Sequence, residues 1–375
     1  MNALAQNALL PTYPPTRVTF VEGHGTTIVD DTGREYLDFA AGIAVVELGH
    51  GHPAPLAAAH AQLDRLWHAS NLYGTEPVRE LAATLSERFG GAQAFFCNSG
   101  TEANEAALKY ARKATGKPGV IALEQSFHGR TTGSLSVTGQ PTKRAAFEPL
   151  LGSVRFVQPN DIEGLRAAMG DDVGLVLLEP VLGEGGVIPL SREFLAAARD
   201  LDAVLALDEV QTGIGRTGSF FAFEQLGVKP DLVTLAKSLA NGLPIGALLV
   251  SEDAAGGFVP GDHGSTFGGN PVACAAAVAV CNAIDDDLLA SVRANGETLR
   301  RGLAHLPHVV DARGMGLLVG AELDTPAHPF VEAALDAGLV ALTSGPNVLR
   351  LAPPLVVTGD EVDRALAILT EVFNA

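Results

Sequence analysis

Six short apolar runs, each closing on polar or glycine-containing residues, recur through the middle of the 375-residue chain: AFFCNSG (94–100), GVIALEQSFHG (119–129), SVRFVQP (153–159), VGLVLLEP (173–180), AVLALDEV (203–210) and DLVTLAK (231–237). Such runs, bounded by turn signals, are expected to be strands buried on both faces. Between several of them lie helical patterns, TEANEAALKYARKATG, DIEGLRAAMG and SREFLAAARDLD. The alternation is β-α-β, which commits the chain to an α/β fold with a mostly parallel sheet flanked by helices. A large domain is expected over residues 50–265. The two chain ends, 1–49 with DDTGREYLDFAAG and 266–375, are expected to pack together as a small α+β domain.

In open parallel sheets, ligands bind beyond the carboxyl ends of the strands. Those ends carry Ser99-Gly100-Thr101, Phe127-His128, Glu179, Asp208 and Lys237, which are therefore expected to meet in one crevice. Ser99 and Glu102 fit the pattern of a Ser-x-x-Glu capping box, which alone would explain those residue types. The same helix start, with the Gly100 and Thr101 N–H groups, can equally hold a phosphate. No G-x-G-x-x-G or P-loop pattern accompanies it, so neither a dinucleotide nor a P-loop nucleotide is implied.

Asp208 follows the apolar AVLAL, and a carboxylate buried there needs a cationic partner or a capping role. Lys237 ends DLVTLA. A buried lysine has a depressed pKa that suits an imine-forming amine, whereas a solvated lysine after a strand is unremarkable. A lysine, a carboxylate on the neighbouring strand and a phosphate-binding helix start are together the parts that hold pyridoxal 5′-phosphate.

The segments NSGTEANEAALKYAR, FHGRTTGSLSVTG, LEPVLGEGGV, LDEVQTGIGRTGSFFAFEQLGVKPDLVTLAKSLANGLPIGA, HGSTFGGNP and LRLAPPL resemble, in order, the motifs of the class III aminotransferases. The resemblance runs from about residue 20 to residue 357, and within the family the wording is most similar to the acetylornithine aminotransferases. It implies a pyridoxal-phosphate enzyme of fold type I, a homodimer with active sites at the subunit interface. Lys237 then matches the Schiff-base lysine, Asp208 the partner of the pyridine nitrogen, and Gln211 the residue near the phenolic oxygen. Phe127 matches the aromatic that stacks on the ring, and Gly100 and Thr101 match the phosphate-binding pair. Thr266 matches a threonine that reaches the phosphate from the partner subunit, with Ser265 beside it near the substrate.

The resemblance also assigns two arginines to substrate carboxylates, Arg130 in FHGRT and Arg350 in LRLAPPL. Arg350 would receive the α-carboxylate of glutamate or 2-oxoglutarate, and the planar guanidinium fork suits that task. Glu184 would pair with Arg350 when a basic ω-amino substrate is bound. On spacing alone, Arg350 is an edge-strand charge and Glu184 an ordinary loop residue.

The implied reaction is a ping-pong transamination of N-acetylornithine with 2-oxoglutarate, giving N-acetylglutamate 5-semialdehyde and glutamate in arginine synthesis. Ornithine, succinylornithine, 4-aminobutyrate and acetyl-lysine or carrier-linked donors are the alternatives within the fold. A semialdehyde aminomutase, a different reaction on the same site, and a non-catalytic binding protein that retains the fold are the remaining alternatives. The chain departs from the family at Val46-Glu47 in GIAVVELGH, where small or polar residues are usual near the substrate mouth, which leaves the distal specificity open.

Composition bounds the partners. With 25 Lys+Arg against 43 Asp+Glu the net charge is −18, which argues against nucleic acid and anionic membrane surfaces, since both require clustered cations. Anionic substrates then require a locally positive site, which Arg130, Arg350, Lys237 and a helix N-terminus would supply. Cys97, Cys274 and Cys281 form no Cys-x-x-Cys pair, so no disulfide framework or cysteine zinc site is implied. Cys274 and Cys281 are expected to be small buried side chains of an Ala/Val helix. The ten histidines contain no His-Glu-x-x-His, and no metal is expected. MNALAQNALLPTYPP lacks the basic region of a leader, and Val272 to Cys281 is far shorter than the roughly 20 residues that span a bilayer. A reducing cytoplasm is the expected location.

Overall fold

In the computed structural model, which describes residues 9–375, seven strands form the central sheet. Residues 1–8 of the segment tested above for a leader lie outside the described residues. Labelled in chain order, the strands are β1 (Ala92–Cys97), β2 (Gly119–Leu123), β3 (Val154–Val157), β4 (Val173–Leu178), β5 (Val204–Asp208), β6 (Leu232–Leu235) and β7 (Gly246–Ser251). Their order across the sheet is β1-β7-β6-β5-β4-β2-β3. The pairs β6–β5, β5–β4, β4–β2 and β2–β3 are parallel. The apolar runs thus form strands, each shortened where its polar end turns into a loop.

β7 is the strand that the β-α-β pattern passes over. It follows β6 through the single 3-10 turn Lys237–Ala240 and a short loop, without a crossover helix, and so it runs antiparallel to both β6 and β1.

Helices cover both faces of the sheet. Gly100–Thr115 starts at Ser99, whose Oγ accepts the Glu102 N–H at 3.4 Å, and stops at Gly116 in the left-handed conformation. Its inward side is small, and Ala106, Ala107 and Ala111 lie on Leu175, Leu177, Ala206, Leu232 and Leu248. The opposite face packs Leu81, Leu85, Phe89, Phe194 and Leu195 in a second apolar layer. The helix Pro271–Ala283 belongs to that same layer, and Cys274 and Cys281 are buried in it, their thiols pushed up to about 12 chiefly by burial. Because this helix packs on Pro53–Leu63 and Glu76–Phe89, a division of the chain at residue 265 would cut through one core.

A separate core joins the chain ends, with Leu37 and Phe39 packed among Val292, Leu299, Val319, Leu349, Leu369 and Phe373. The N-terminal strand Glu35–Asp38 pairs in parallel with Leu339–Val340. In a second small sheet the strand Val348–Leu351 lies between Leu318–Leu323 and Leu342–Thr343. No helix among the described residues is long and apolar enough to cross a membrane.

Candidate active site

The carboxyl ends of the central strands open onto a cavity of about 400 Å³. Ser99, Gly100, Thr101, Phe127, His128, Arg130, Glu179, Glu184, Asp208, Gln211 and Lys237 all line it, so residues spread over more than half the sheet face one space.

Asp208, the last residue of β5, is buried and fully engaged by donors. Its Oδ2 accepts Asn104 Nδ2 at 2.7 Å and His128 Nδ1 at 2.7 Å, and its Oδ1 accepts the Val210 N–H at 3.0 Å. The Asn104 amide also donates to the His128 carbonyl at 2.8 Å and accepts from Thr234 Oγ1 at 2.8 Å, which fixes which way it points. Burial opposes protonation of His128, but the hydrogen bond and charge of Asp208, with the charge of Glu179, outweigh it and raise the imidazole pKa. Three donors therefore converge on the Asp208 carboxylate at the cavity floor.

Glu179 orients the neighbouring loops rather than facing the cavity alone. Its carboxylate accepts the Phe127 N–H at 2.8 Å and the Gly183 N–H at 3.3 Å. Burial pushes its pKa up to about 7, with the His128 charge opposing that rise.

Lys237 follows β6 at φ +38°, a left-handed conformation that costs a non-glycine residue about 1–3 kcal/mol. The turn aims its side chain into the cavity. Burial lowers its pKa, against the opposing influence of Glu184, and so increases the share of neutral amine.

Above the floor stands Arg350, 3% exposed on an interior strand of the smaller sheet, so the edge-strand alternative does not hold. Its Nη1 donates to the Gly183 carbonyl at 2.8 Å and to Glu184 Oε1 at 2.6 Å. Burial would raise the Glu184 pKa, but the charges of Arg350, Lys237 and Lys143 and the Arg350 hydrogen bond bring it below the ordinary value. Arg130 is exposed at the mouth, its guanidinium 5.6 Å from the centre of the Phe127 ring. Lys143 approaches the same ring at 5.3 Å. Nothing in the spacing of the PTKR turn singled that lysine out.

Three expected residues do not line the cavity of the single chain: Arg350, which reaches it only through Glu184, and Ser265 and Thr266. Thr266 is exposed on the loop before Pro271–Ala283. Ser265 Oγ accepts from Asn98 Nδ2 at 3.2 Å and from the Gly268 N–H at 3.0 Å, which places it behind Asn98. Another expectation is corrected: Glu47 is not at a substrate mouth. It is fully buried against the equally buried Arg216, and of its segment Val45 is the residue that reaches the cavity.

The cavity fits a phosphorylated pyridine aldehyde. The buried Gln211 Oε1 has no hydrogen-bond partner among the described residues and is free to accept from a ligand hydroxyl. At Gly100 a Cβ would come within 2.7 Å of a Val210 methyl, so only glycine brings that helix start so close to β5. The Ser99 side chain takes the Glu102 N–H and leaves those of Gly100 and Thr101 facing outward for an anion. Asp208 matches a protonated ring nitrogen, and the Lys237 amine matches the aldehyde.

The family model described as aminotransferase class-III matches residues 10–373. An acetylornithine aminotransferase of Mycolicibacterium smegmatis is 48% identical over 98% of this chain and 96% of its own length. One from Bacillus cereus is 45% identical over 97% of each chain. Among solved structures, an N-acetylornithine aminotransferase from Stenotrophomonas maltophilia superposes with a TM-score of 0.84 at 38% identity, covering 96% of this chain and 97% of that one. An ornithine aminotransferase from Toxoplasma gondii, in which PLP partly occupies the active site, superposes with a TM-score of 0.94 at 31% identity, covering 99% of this chain and 93% of that one.

Proposed function

The chain belongs to the class-III aminotransferases, and from that premise we propose that it transfers the ω-amino group of N-acetylornithine to 2-oxoglutarate. The products are N-acetylglutamate 5-semialdehyde and glutamate, a step of arginine synthesis. The likeness over nearly the full chain to acetylornithine aminotransferases supports the donor. The observation that carries the two-substrate cycle is the Arg350–Glu184 pair, whose carboxylate lines the cavity together with Lys237. A buried arginine that a carboxylate can cover or release lets one site take a donor with no carboxylate at that end and then a dicarboxylic acceptor.

Bound pyridoxal 5′-phosphate supplies the carbonyl that takes up the amino group and a ring that withdraws electrons from the reacting carbon. Lys237 would anchor the cofactor and, as a neutral amine, would move the proton at the amino-bearing carbon of the substrate. Asp208, which accepts hydrogen bonds from His128 and Asn104, would keep the proton on the ring nitrogen. Phe127 would stack on the ring, Gln211 would bond the phenolic oxygen, and Gly100 and Thr101 would hold the phosphate. Arg130 holds the donor carboxylate while Glu184 keeps Arg350 occupied. Arg350 then takes the α-carboxylate of 2-oxoglutarate when Glu184 withdraws.

The active assembly in this reading is a cytoplasmic homodimer in which Thr266 of a second copy completes the phosphate site. The exposed Trp67, Leu72, Tyr73 and Phe267, on segments next to Thr266, support such a covered face. Half-reactions test the cycle. N-acetylornithine alone should shift the absorbance of the holoenzyme, and 2-oxoglutarate alone should restore it. A binding protein would show neither change, and a mutase would turn over without the oxo acid.

A further inference from the structure

Glu47 and Arg216 have no part in the cycle described above, yet both side chains are completely shielded from solvent. Withdrawing two charges from water is costly, and removing either partner strands the other, so the arrangement calls for an account. Arg216 Nε donates to Glu47 Oε1 at 3.1 Å, and Nη2 lies 3.0 Å from Oε2 in an ionic contact without hydrogen-bond alignment. Arg216 Nη1 donates to the carbonyls of Leu317 at 2.9 Å and Pro353 at 2.6 Å. On the main chain, the Leu317 N–H donates to the Arg216 carbonyl at 3.0 Å and the Leu355 N–H to the Glu47 carbonyl at 2.6 Å.

These contacts join three parts of the site. Arg216 sits on the loop that leaves β5 just past Asp208 and Gln211, and Glu47 follows Val45 of the cavity wall. Leu317 enters the strand Leu318–Leu323, and Pro353 follows the strand Val348–Leu351. Those two strands pair with Gly320 opposite Arg350. The guanidinium therefore clips both strands at one end of their shared ladder, three residues from Arg350, to the loop that carries Gln211. The seam has no slack, because a Cβ on Gly316 would fall 2.6 Å from the Arg216 carbonyl oxygen.

We propose that the buried Glu47–Arg216 pair is a positioning device for Arg350, setting where the acceptor-carboxylate anchor stands over the cofactor floor. The inference rests on the assignment of Arg350 given above. While Glu184 holds Arg350, the anchor is fixed from two sides. Once Glu184 gives way to the acceptor, the Gly183 carbonyl and the clip at Pro353 are what hold it, so the acceptor half-reaction depends on the pair and the donor half-reaction does not.

The test compares the two half-reactions of Glu47→Gln holoenzyme. Its apparent affinity for 2-oxoglutarate, measured on enzyme loaded with pyridoxamine 5′-phosphate, should weaken about tenfold or more, while its limiting rate, its donor half-reaction and its cofactor affinity stay within about threefold. Glu47→Asp, which keeps the charge on a shorter arm, should fall between it and the parent. Equal acceptor affinity in folded Glu47→Gln would overturn the proposal. So would an equal loss in both half-reactions and in cofactor affinity, which would mark a purely structural pair. If Glu47→Gln does not fold, the volume-conserving double change Glu47→Leu with Arg216→Met, which removes the pair and the clip together, should give the same split; balanced half-reactions there would also overturn it. An error in the proposed donor would show instead as an absent donor half-reaction in the unmutated enzyme.

Discussion

Arg350 Nη1 stands 2.6 Å from Glu184 Oε1, an arginine from the core of the chain ends reaching a carboxylate on the loop after β4. The contact joins the two cores at the cavity, with Lys237 within electrostatic reach of both. It also makes Arg350 a covered cation in the resting enzyme.

Removing that cover should redistribute affinity between the substrates. Glu184→Gln is expected to tighten 2-oxoglutarate and glutamate and to weaken productive use of N-acetylornithine, whose carboxylate then competes for Arg350. The ratio of kcat/KM for donor to that for acceptor should fall by roughly tenfold. Separate half-reaction kinetics check this, and an unchanged ratio would remove Glu184 from the switch.

Asp208 is predicted to act on chemistry more than on cofactor retention. Asp208→Asn keeps the shape but gives up the charge that His128 and Asn104 support. The expected loss in kcat is about 10²–10⁴-fold, the range of a displaced acid or base in a transition state. Single-turnover rates on cofactor-loaded variant measure it; a loss of less than about tenfold would contradict the role.

Lys237 should titrate below the ordinary lysine range in cofactor-free protein, because burial disfavours its ammonium form. The reactive species is the neutral amine, so the rate of cofactor uptake should rise with pH and level off before pH 10.5, the ordinary lysine value. A profile that still climbs through that value would place the amine in water.

Glu209 gives a stability prediction with a definite sign. It is buried, accepts the Ala222 and Phe223 N–H groups at 2.7 and 2.9 Å, and has a pKa raised chiefly by burial from 4.5 to about 8. Below pH 4.5 both folded and unfolded chains hold its proton, so nothing is lost. As pH rises from there to about 8 the unfolded chain ionises first, and the folded state loses stability. Glu209→Gln removes that linkage, so its Tm should decline less between pH 5 and pH 8 than that of the parent. Parallel Tm curves would show that Glu209 is ionised in the fold.

What was legible in the sequence was the part set by local rules. A charge directly after an apolar run has few inexpensive placements, so Asp208 and Lys237 could be singled out from AVLALDEV and DLVTLAK, and the helix start at Ser99 from its capping pattern. The rest depends on contacts between distant segments. Arg350 meets Glu184 across 166 positions, and Arg216 meets Glu47 across 169. No window of sequence could tell an edge-strand arginine from a buried anchor, or a substrate-mouth glutamate from half of a buried ion pair. The Asp208–His128–Asn104 cluster was visible only as strand ends, because its hydrogen bonds depend on how the helix Gly100–Thr115 lies on β5. β7 escaped because the pattern sought a crossover helix where the chain makes a tight turn.

The most direct measurement is kcat/KM for a panel of amino donors with 2-oxoglutarate as acceptor. The account predicts that N-acetylornithine exceeds free ornithine by about tenfold or more, equivalent to roughly 1.4 kcal/mol of transition-state binding. The close superposition with an ornithine aminotransferase makes free ornithine the competitor that matters. A tenfold preference for ornithine would contradict the account of what this active site is shaped to accept.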